Sequence, residues 1–166
     1  MSKLVITEVT QLEPQSDVTE ADQRLLSWDT LVWRFAAEPT YWLCTAGPAP
    51  HAMPVRGVWE DNCFQFSTSP QSRKAKNLRT QPKAVVHLAD TDAVLALYCL
   101  AHEMTTHEEL QRFCDEYNPK YRGALTTSDV PQGVFALVPH TAYAWSKGTG
   151  PEFREAATRW RFEIRD

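Results

Sequence analysis

Phe64 to Leu78 reads FQFSTSPQSRKAKNL, the most informative stretch of the chain. It passes from a β-forming run through hydroxyl residues into a helix start, because Ser72 can cap a short helix that Pro82 brings to a stop. The first turn of a helix points unpaired N–H groups outward and carries partial positive charge, so an anion placed there gains hydrogen bonds and a favourable dipole together. Arg73 and Lys74 add full charges: a guanidinium can grip two phosphate oxygens, and an ammonium adds a point charge. Thr68 and Ser72 offer neutral donors, while Lys76 and Arg79 are expected to face solvent. Two readings stand at this point, a phosphate grip and an ordinary solvated basic face.

Outward from this segment the chain is a series of short β-forming runs: Tyr41 to Thr45, Ala52 to Trp59, Phe64 to Thr68, Ala84 to Leu88 and Ala93 to Leu100, separated by Gly, Pro, Asn and Asp. Two final strands are predicted over Gly133 to Val138 and Thr141 to Trp145, followed by a charged tail ending ATRWRFEIRD. Leu25, Trp28, Leu31, Val32 and Phe35 recur at helical steps, which predicts an amphipathic helix ending before Pro39. A second long helix is predicted over Thr106 to Tyr117, with Leu110, Phe113 and Cys114 on one face. Residues 1–18, with Pro14 and Ser16, read as a polar arm or loop, and residues 19–166 as a single domain. The fold class is therefore mainly β with α, an antiparallel sheet of roughly seven strands with peripheral helices that avoids open edges by closing into a barrel, a sandwich being the alternative.

A chain of 166 residues suits one domain. The net charge of −4 and the isoelectric point near 5.7 argue against nucleic acid as the main partner, since phosphate neutralisation needs a basic face. No run is apolar enough for a secretory leader or a membrane span, so neither membrane partner nor export is expected and the cytoplasm is the expected compartment. The cysteines Cys44, Cys63, Cys99 and Cys114 form no C-x-x-C pair and read as reduced, mostly buried thiols. Six tryptophans suit either a tight core or a pocket for a flat ligand.

SRKAKNL after FSTSP resembles the phosphate-binding segment of the pyridoxamine 5′-phosphate oxidase-like flavoproteins, and this context favours the phosphate grip. LSWDTLVWRFAAEPTYWLCT is similar to that family's opening helix and first barrel strand, PHAMPVRGVWED to its second strand, and TRWRF to its closing segment. The resemblance implies a split β-barrel homodimer that holds FMN, or in some branches a deazaflavin, in clefts between subunits. It implies that Arg73 and Lys74 hold the phosphate, that Met53, Pro54 and Val55 lie along the isoalloxazine ring, and that Ser67 and Thr68 contact the ribityl-phosphate region. Asn77 would support the helix turn, and Arg159 and Trp160 would close the cleft from the partner chain.

The chain departs from the family pattern in its AGPAP turn and in DAVLALYCLAHEM, where Tyr98, Cys99 and Leu100 replace a small, Gly-containing segment. His102, Glu103 and His107 imitate a zinc-protease pattern, but the two histidines are five residues apart, about 140° round a helix, and cannot share a metal. His51 reads either as a ligand-reaching group or as a structural one, and Trp42 and Trp59 as core or subunit-contact residues. The functions that remain are an FMN-dependent oxidoreductase acting on a small molecule, a deazaflavin-dependent variant, a non-catalytic flavin-storage module, and a ligand-free interaction domain. Pyridoxamine-phosphate oxidation itself is less favoured, because the tail does not match the full substrate signature.

Overall fold

The computed structural model describes residues 3–11, 26–90, 93–146 and 157–165, which form β1 (Lys3–Gln11), α1 (Trp28–Ala37), β2 (Tyr41–Thr45), β3 (His51–Val55), β4 (Val58–Glu60), β5 (Cys63–Ser67), α2 (Arg73–Thr80), β6 (Lys83–His87), β7 (Ala93–Met104), α3 (His107–Tyr121), β8 (Val134–Ser146) and β9 (Thr158–Arg165). The strands make one antiparallel sheet in the order β1-β9-β8-β7-β6-β2-β3, while β5 pairs with both β4 and β8. β8 is the fork: Val134 to Leu137 face β5, and Thr141 to Ala144 face β9. β3 and β4 join through a chain corner and no ladder links them among the described residues, so the sheet curls into a split barrel that stays open there.

Two glycine- and turn-dependent features shape this curl. At Gly57 an added Cβ would lie 2.3 Å from Phe64 Cζ and 2.5 Å from the Gln65 carbonyl, so only glycine lets the corner lie this close to β5. The single strand predicted over Ala52 to Trp59 therefore divides into β3 and β4. Asp61 (φ 49) and Asn62 (φ 58) then turn β4 back into β5 in the left-handed conformations that a tight hairpin requires.

Conversely, the two last strands predicted from the sequence are one. Pro139 does not end β8, because the register skips at His140: Tyr98 faces Thr141 and Cys99 faces Pro139. A bulge accommodates a residue that lacks a ladder N–H.

Inward-facing side chains fill the barrel. Phe35, Tyr41, Leu43, Phe64, Phe66, Val86, Leu95, Leu97, Phe135, Leu137 and Trp160 are each at most 1% exposed, and burying a side chain of this kind stabilises by about 1.5–3 kcal/mol. α1 sits on this core with Phe35, its rings 4.7 Å from Tyr41 and 5.7 Å from Trp59. Leu25, the first residue of its predicted stripe, lies outside the described residues. Trp59 is half-buried against the core, whereas Trp42 faces outward.

α3 covers the outer face of β4, β5 and β8 through Leu110, Phe113 and Cys114. It begins on a capping box between Thr106 and Glu109 and runs past its predicted end at Tyr117, through Pro119, to Tyr121. Its last turn is held by the barrel corner. Lys120 Nζ donates to the carbonyls of Ala36 (2.8 Å) and Gly57 (3.0 Å) and to Tyr41 Oη (2.8 Å), and Tyr121 Oη donates to the Gly57 carbonyl at 2.8 Å.

Both chain ends differ from the reading of them as arm and tail. Residues 3–11 are a strand rich in β-branched side chains, and the charged C-terminal segment is its antiparallel partner, with Val9 opposite Trp160. The alternating charges of the tail find their match there: Arg159 Nη2 lies 3.0 Å and Arg161 Nε 3.1 Å from the Glu8 carboxylate. Residues 12–18 of the predicted arm lie outside the described residues. All four cysteines are free, and no helix among the described residues is long and apolar enough to cross a membrane.

Candidate functional site

The loop from β5 to α2 is fixed before any ligand arrives. Thr68 N donates to the Gly133 carbonyl at 2.9 Å, and Gly133 (φ 83) passes so close that a Cβ there would be 2.3 Å from the Thr68 carbonyl. Ser72 caps α2 by accepting from Ala75 N at 3.2 Å, and its hydroxyl lies 3.1 Å from that of Thr68. Ser67 and Thr68, both half-buried, line one side of this loop.

Arg73 and Lys74 occupy the first turn of α2, which contains no acidic residue. Cations beside the positive end of a helix are electrostatically misplaced by roughly 0.3–1 kcal/mol each, unless an anion is shared between them and the helix N–H groups. Among the described residues neither side chain has a hydrogen bond or ion pair. The donor set therefore fits a phosphate monoester: free backbone N–H groups, two hydroxyls and two unpartnered cations.

Arg79 is exposed, as expected, and is also a strut. It donates to both oxygens of Glu103, at 2.7 and 2.6 Å, and to the Pro70 carbonyl at 2.6 Å, while Glu103 also accepts from Gly133 N at 2.9 Å. Hydrogen bonding from Arg79 holds the Glu103 carboxyl below the usual carboxylate range. Glu103 stood out in the sequence only as part of the false zinc pattern, and its partner 24 residues away carried no local signal.

Asn77 is buried and donates from Nδ2 to Thr45 Oγ1 at 3.0 Å. It stands three and four residues after Lys74 and Arg73 and so shares their helix face. A Cβ on Gly47 would sit 2.5 Å from Asn77 Oδ1, so the β2–β3 turn is pressed against this side chain. Thr45 and Gly47 in turn wall a mostly apolar hollow of about 470 Å³, whose other walls include Val85, Tyr98, Lys83 and His140. Burial, and secondarily the charge of Lys83, lowers the His140 pKa. Tyr98 stood out in the sequence as bulk that could intrude on the cleft, whereas Lys83 and His140 were not singled out as site residues, since only the folded sheet puts β6, β7 and β8 side by side under the β2 turn.

β3 is the last strand of the sheet path, so one of its edges keeps free N–H and C=O groups among the described residues. Met53 is 43% exposed and Pro54 is exposed, whereas the Val55 side chain is buried in the core. Of these three, only Met53 and Pro54 offer a side chain to a ligand. His51 begins β3, half-buried opposite Thr45.

Within this chain neither Arg159 nor Trp160 lines the hollow beside α2. The Trp160 indole is 1% exposed and packs 5.7 Å from that of Trp28 inside its own barrel, so it is not available to close a cleft. Arg159 is held by Glu8 at 3.0 Å and by Thr10 at 3.1 Å on β1.

A family model described as pyridoxamine 5′-phosphate oxidase matches residues 29–146. No curated protein matches the chain. Among solved structures, the chain is similar to the conserved hypothetical protein Rv2991 from Mycobacterium tuberculosis, with TM-score 0.67 and 20% identity over 81% of this chain and 90% of that one. It is similar to an FAD-binding protein from Mesorhizobium loti, with TM-score 0.59 and 12% identity over 85% and 96% of the two chains. An F420 reductase shares TM-score 0.53 and 18% identity over 66% and 93%. At these identities the likeness is one of fold.

Proposed function

The chain belongs to the pyridoxamine 5′-phosphate oxidase family, and from that premise we propose that it is an FMN-binding oxidoreductase acting on a small molecule. The observation that carries this reading is the unpartnered Arg73 and Lys74 in the first turn of a helix without acidic residues there. A phosphate monoester on that turn satisfies both side chains, the helix dipole and the hydroxyls of Thr68 and Ser72. The mostly apolar hollow walled by Thr45, Gly47 and Val85 suits a flat ring. Met53, Pro54 and the free edge of β3 would supply its apolar and polar neighbours. Bound FMN would supply two-electron exchange, which explains why the chain needs no catalytic triad. The protein's part is to hold the phosphate, orient the ring and keep a face open to substrate.

Pairing of two chains is part of this proposal. Trp42, Tyr98 and Leu100 are 37%, 43% and 48% exposed on one outer face of β2 and β7, and a row of large apolar side chains on a sheet face fits an interface between copies. A deazaflavin is the second reading, favoured by the similarity to an F420 reductase, and the same cationic turn would take its phosphate.

The test is the absorbance spectrum of the purified protein, followed by mass spectrometry of whatever it releases. Bound FMN, or FMN taken up on incubation, is the result expected. Protein that is colourless and gains no flavin would refute the reading, and selective uptake of a deazaflavin would replace FMN with the second cofactor.

A further inference from the structure

A separate hollow of about 410 Å³ lies outside the barrel, between β5, β7, β8 and the start of α3, and shares no lining residue with the hollow beside α2. Its floor is apolar: Cys63, Met104, Ala136 and Val138 face into it. Burial pushes the Cys63 thiol up to about 11, so at neutral pH it is an uncharged wall and not a nucleophile.

The charges around the hollow are already matched. Arg112 Nη1 donates to Asp61 Oδ2 at 3.1 Å. Glu109 Oε2 accepts from Thr105 N, Thr106 N and Thr106 Oγ1, and its carboxylate is further favoured by the nearby His102. A charged ligand would lose hydration here without finding an uncompensated partner.

Gln65 is the exception to this matching. Its side chain lines the hollow and is 4% exposed. Its Oε1 is the buried side-chain polar atom left without a hydrogen bond among the described residues. Its Nε2 donates at 3.5 Å to Cys63 Sγ, an ordinary length for sulfur, and at 3.5 Å to the Glu60 carbonyl, a long one for oxygen. Buried amides are normally satisfied, and one left unmatched costs stability until a partner arrives. The terminal amide torsion of glutamine is broad, so the side chain can turn either edge towards the hollow.

We propose that this hollow binds an uncharged small molecule that presents an N–H beside a carbonyl on a flat ring, as lactams and pyrimidine bases do. A glutamine amide offers an acceptor and a donor side by side and pairs with such an edge through two hydrogen bonds. The apolar floor takes the ring faces. This site stands independently of the flavin reading, since it shares no lining residue with the hollow beside α2.

Uracil is the probe, with 1,3-dimethyluracil, which has no N–H, as its control, each titrated into the full chain and followed by calorimetry and protein NMR. Uracil is expected to bind, and the dimethyl compound at least tenfold more weakly. Gln65→Leu removes the unmatched amide, so it is expected to abolish uracil binding while melting no lower than the wild type and leaving flavin content unchanged. Should Gln65→Leu fail to fold, Gln65→Met serves, and the comparison of the two probes on the wild type still decides. The proposal is overturned if uracil causes no change at millimolar concentration, if both probes bind alike, or if the Gln65 variant binds uracil as the wild type does. A structure at saturating uracil with only an ordered water on Gln65 would overturn it too.

Discussion

Asn77 Nδ2 donates to Thr45 Oγ1 across 3.0 Å with both side chains buried, which locks the helix presenting Arg73 and Lys74 to the strand that walls the apolar hollow. The cationic turn and the ring-sized space are thereby one rigid unit. Asn77→Ala leaves Thr45 with an unmatched buried hydroxyl and opens space against Gly47. It is expected to cost about 1–3 kcal/mol in denaturant unfolding and to weaken flavin binding, read by fluorescence titration. Unchanged affinity in a folded variant would mean that this lock does not position the site.

The barrel corner depends on glycine. Gly57→Ala places a Cβ against Phe64 and the Gln65 carbonyl, both in well-packed surroundings that cannot yield cheaply. Overpacking of this kind costs about 1–3 kcal/mol, so a clear fall in melting temperature is expected by calorimetry, and a variant melting with the wild type would contradict the tight corner.

Lys120 gives a pH signature. Burial lowers its pKa from 10.5 to about 8, so between those values the unfolded chain binds a proton that the folded one has released, and this residue's contribution to stability rises with pH. Burial raises Cys63, Cys99 and Tyr41, whose contributions fall as pH rises through their unfolded values. The measurement is therefore the difference in unfolding free energy between wild type and Lys120→Met, which is expected to move in favour of the wild type from about pH 8 to pH 10. A flat difference would show that Lys120 is solvated.

The exposed apolar row on β2 and β7 is expected to join two chains. Trp42→Glu together with Leu100→Glu puts charge into that face without touching the lining of the hollow and should give monomers by light scattering, with flavin affinity falling if the site is shared between copies. A wild type that is monomeric at high micromolar concentration would remove the interface from the account.

What could be read from the sequence follows the range of the interactions. The β5–α2 unit was legible because its signals are local: alternating Phe64 and Phe66, the Ser72 cap, Pro82 after the last turn. The helix stripe ending in Phe35 was legible for the same reason. The pairing of β1 with β9 was not, since Val9 and Trp160 meet only after the whole barrel has formed. Trp160 looked like a cleft residue because its neighbours resembled a family motif, yet its register on β9 turns the indole inward. Pro139 reads as a break in any one-dimensional scan, and only the bulge opposite β7 shows why the strand continues. Arg79 is the solvated cation it resembles, but its pairing with Glu103, 24 residues away, shows only in the fold.

The most direct test of the central claim is an FMN titration of the wild type and the Arg73→Ala, Lys74→Ala double variant, followed by flavin fluorescence. Two charge-assisted contacts of roughly 1.5–3 kcal/mol each predict at least about a hundredfold loss of affinity in the double variant, with its melting temperature without ligand no lower than the wild type's, because neither side chain has a partner within the described residues and both cations oppose the helix dipole. A wild type that takes up no flavin, or a double variant that binds FMN as tightly as the wild type, would contradict the account.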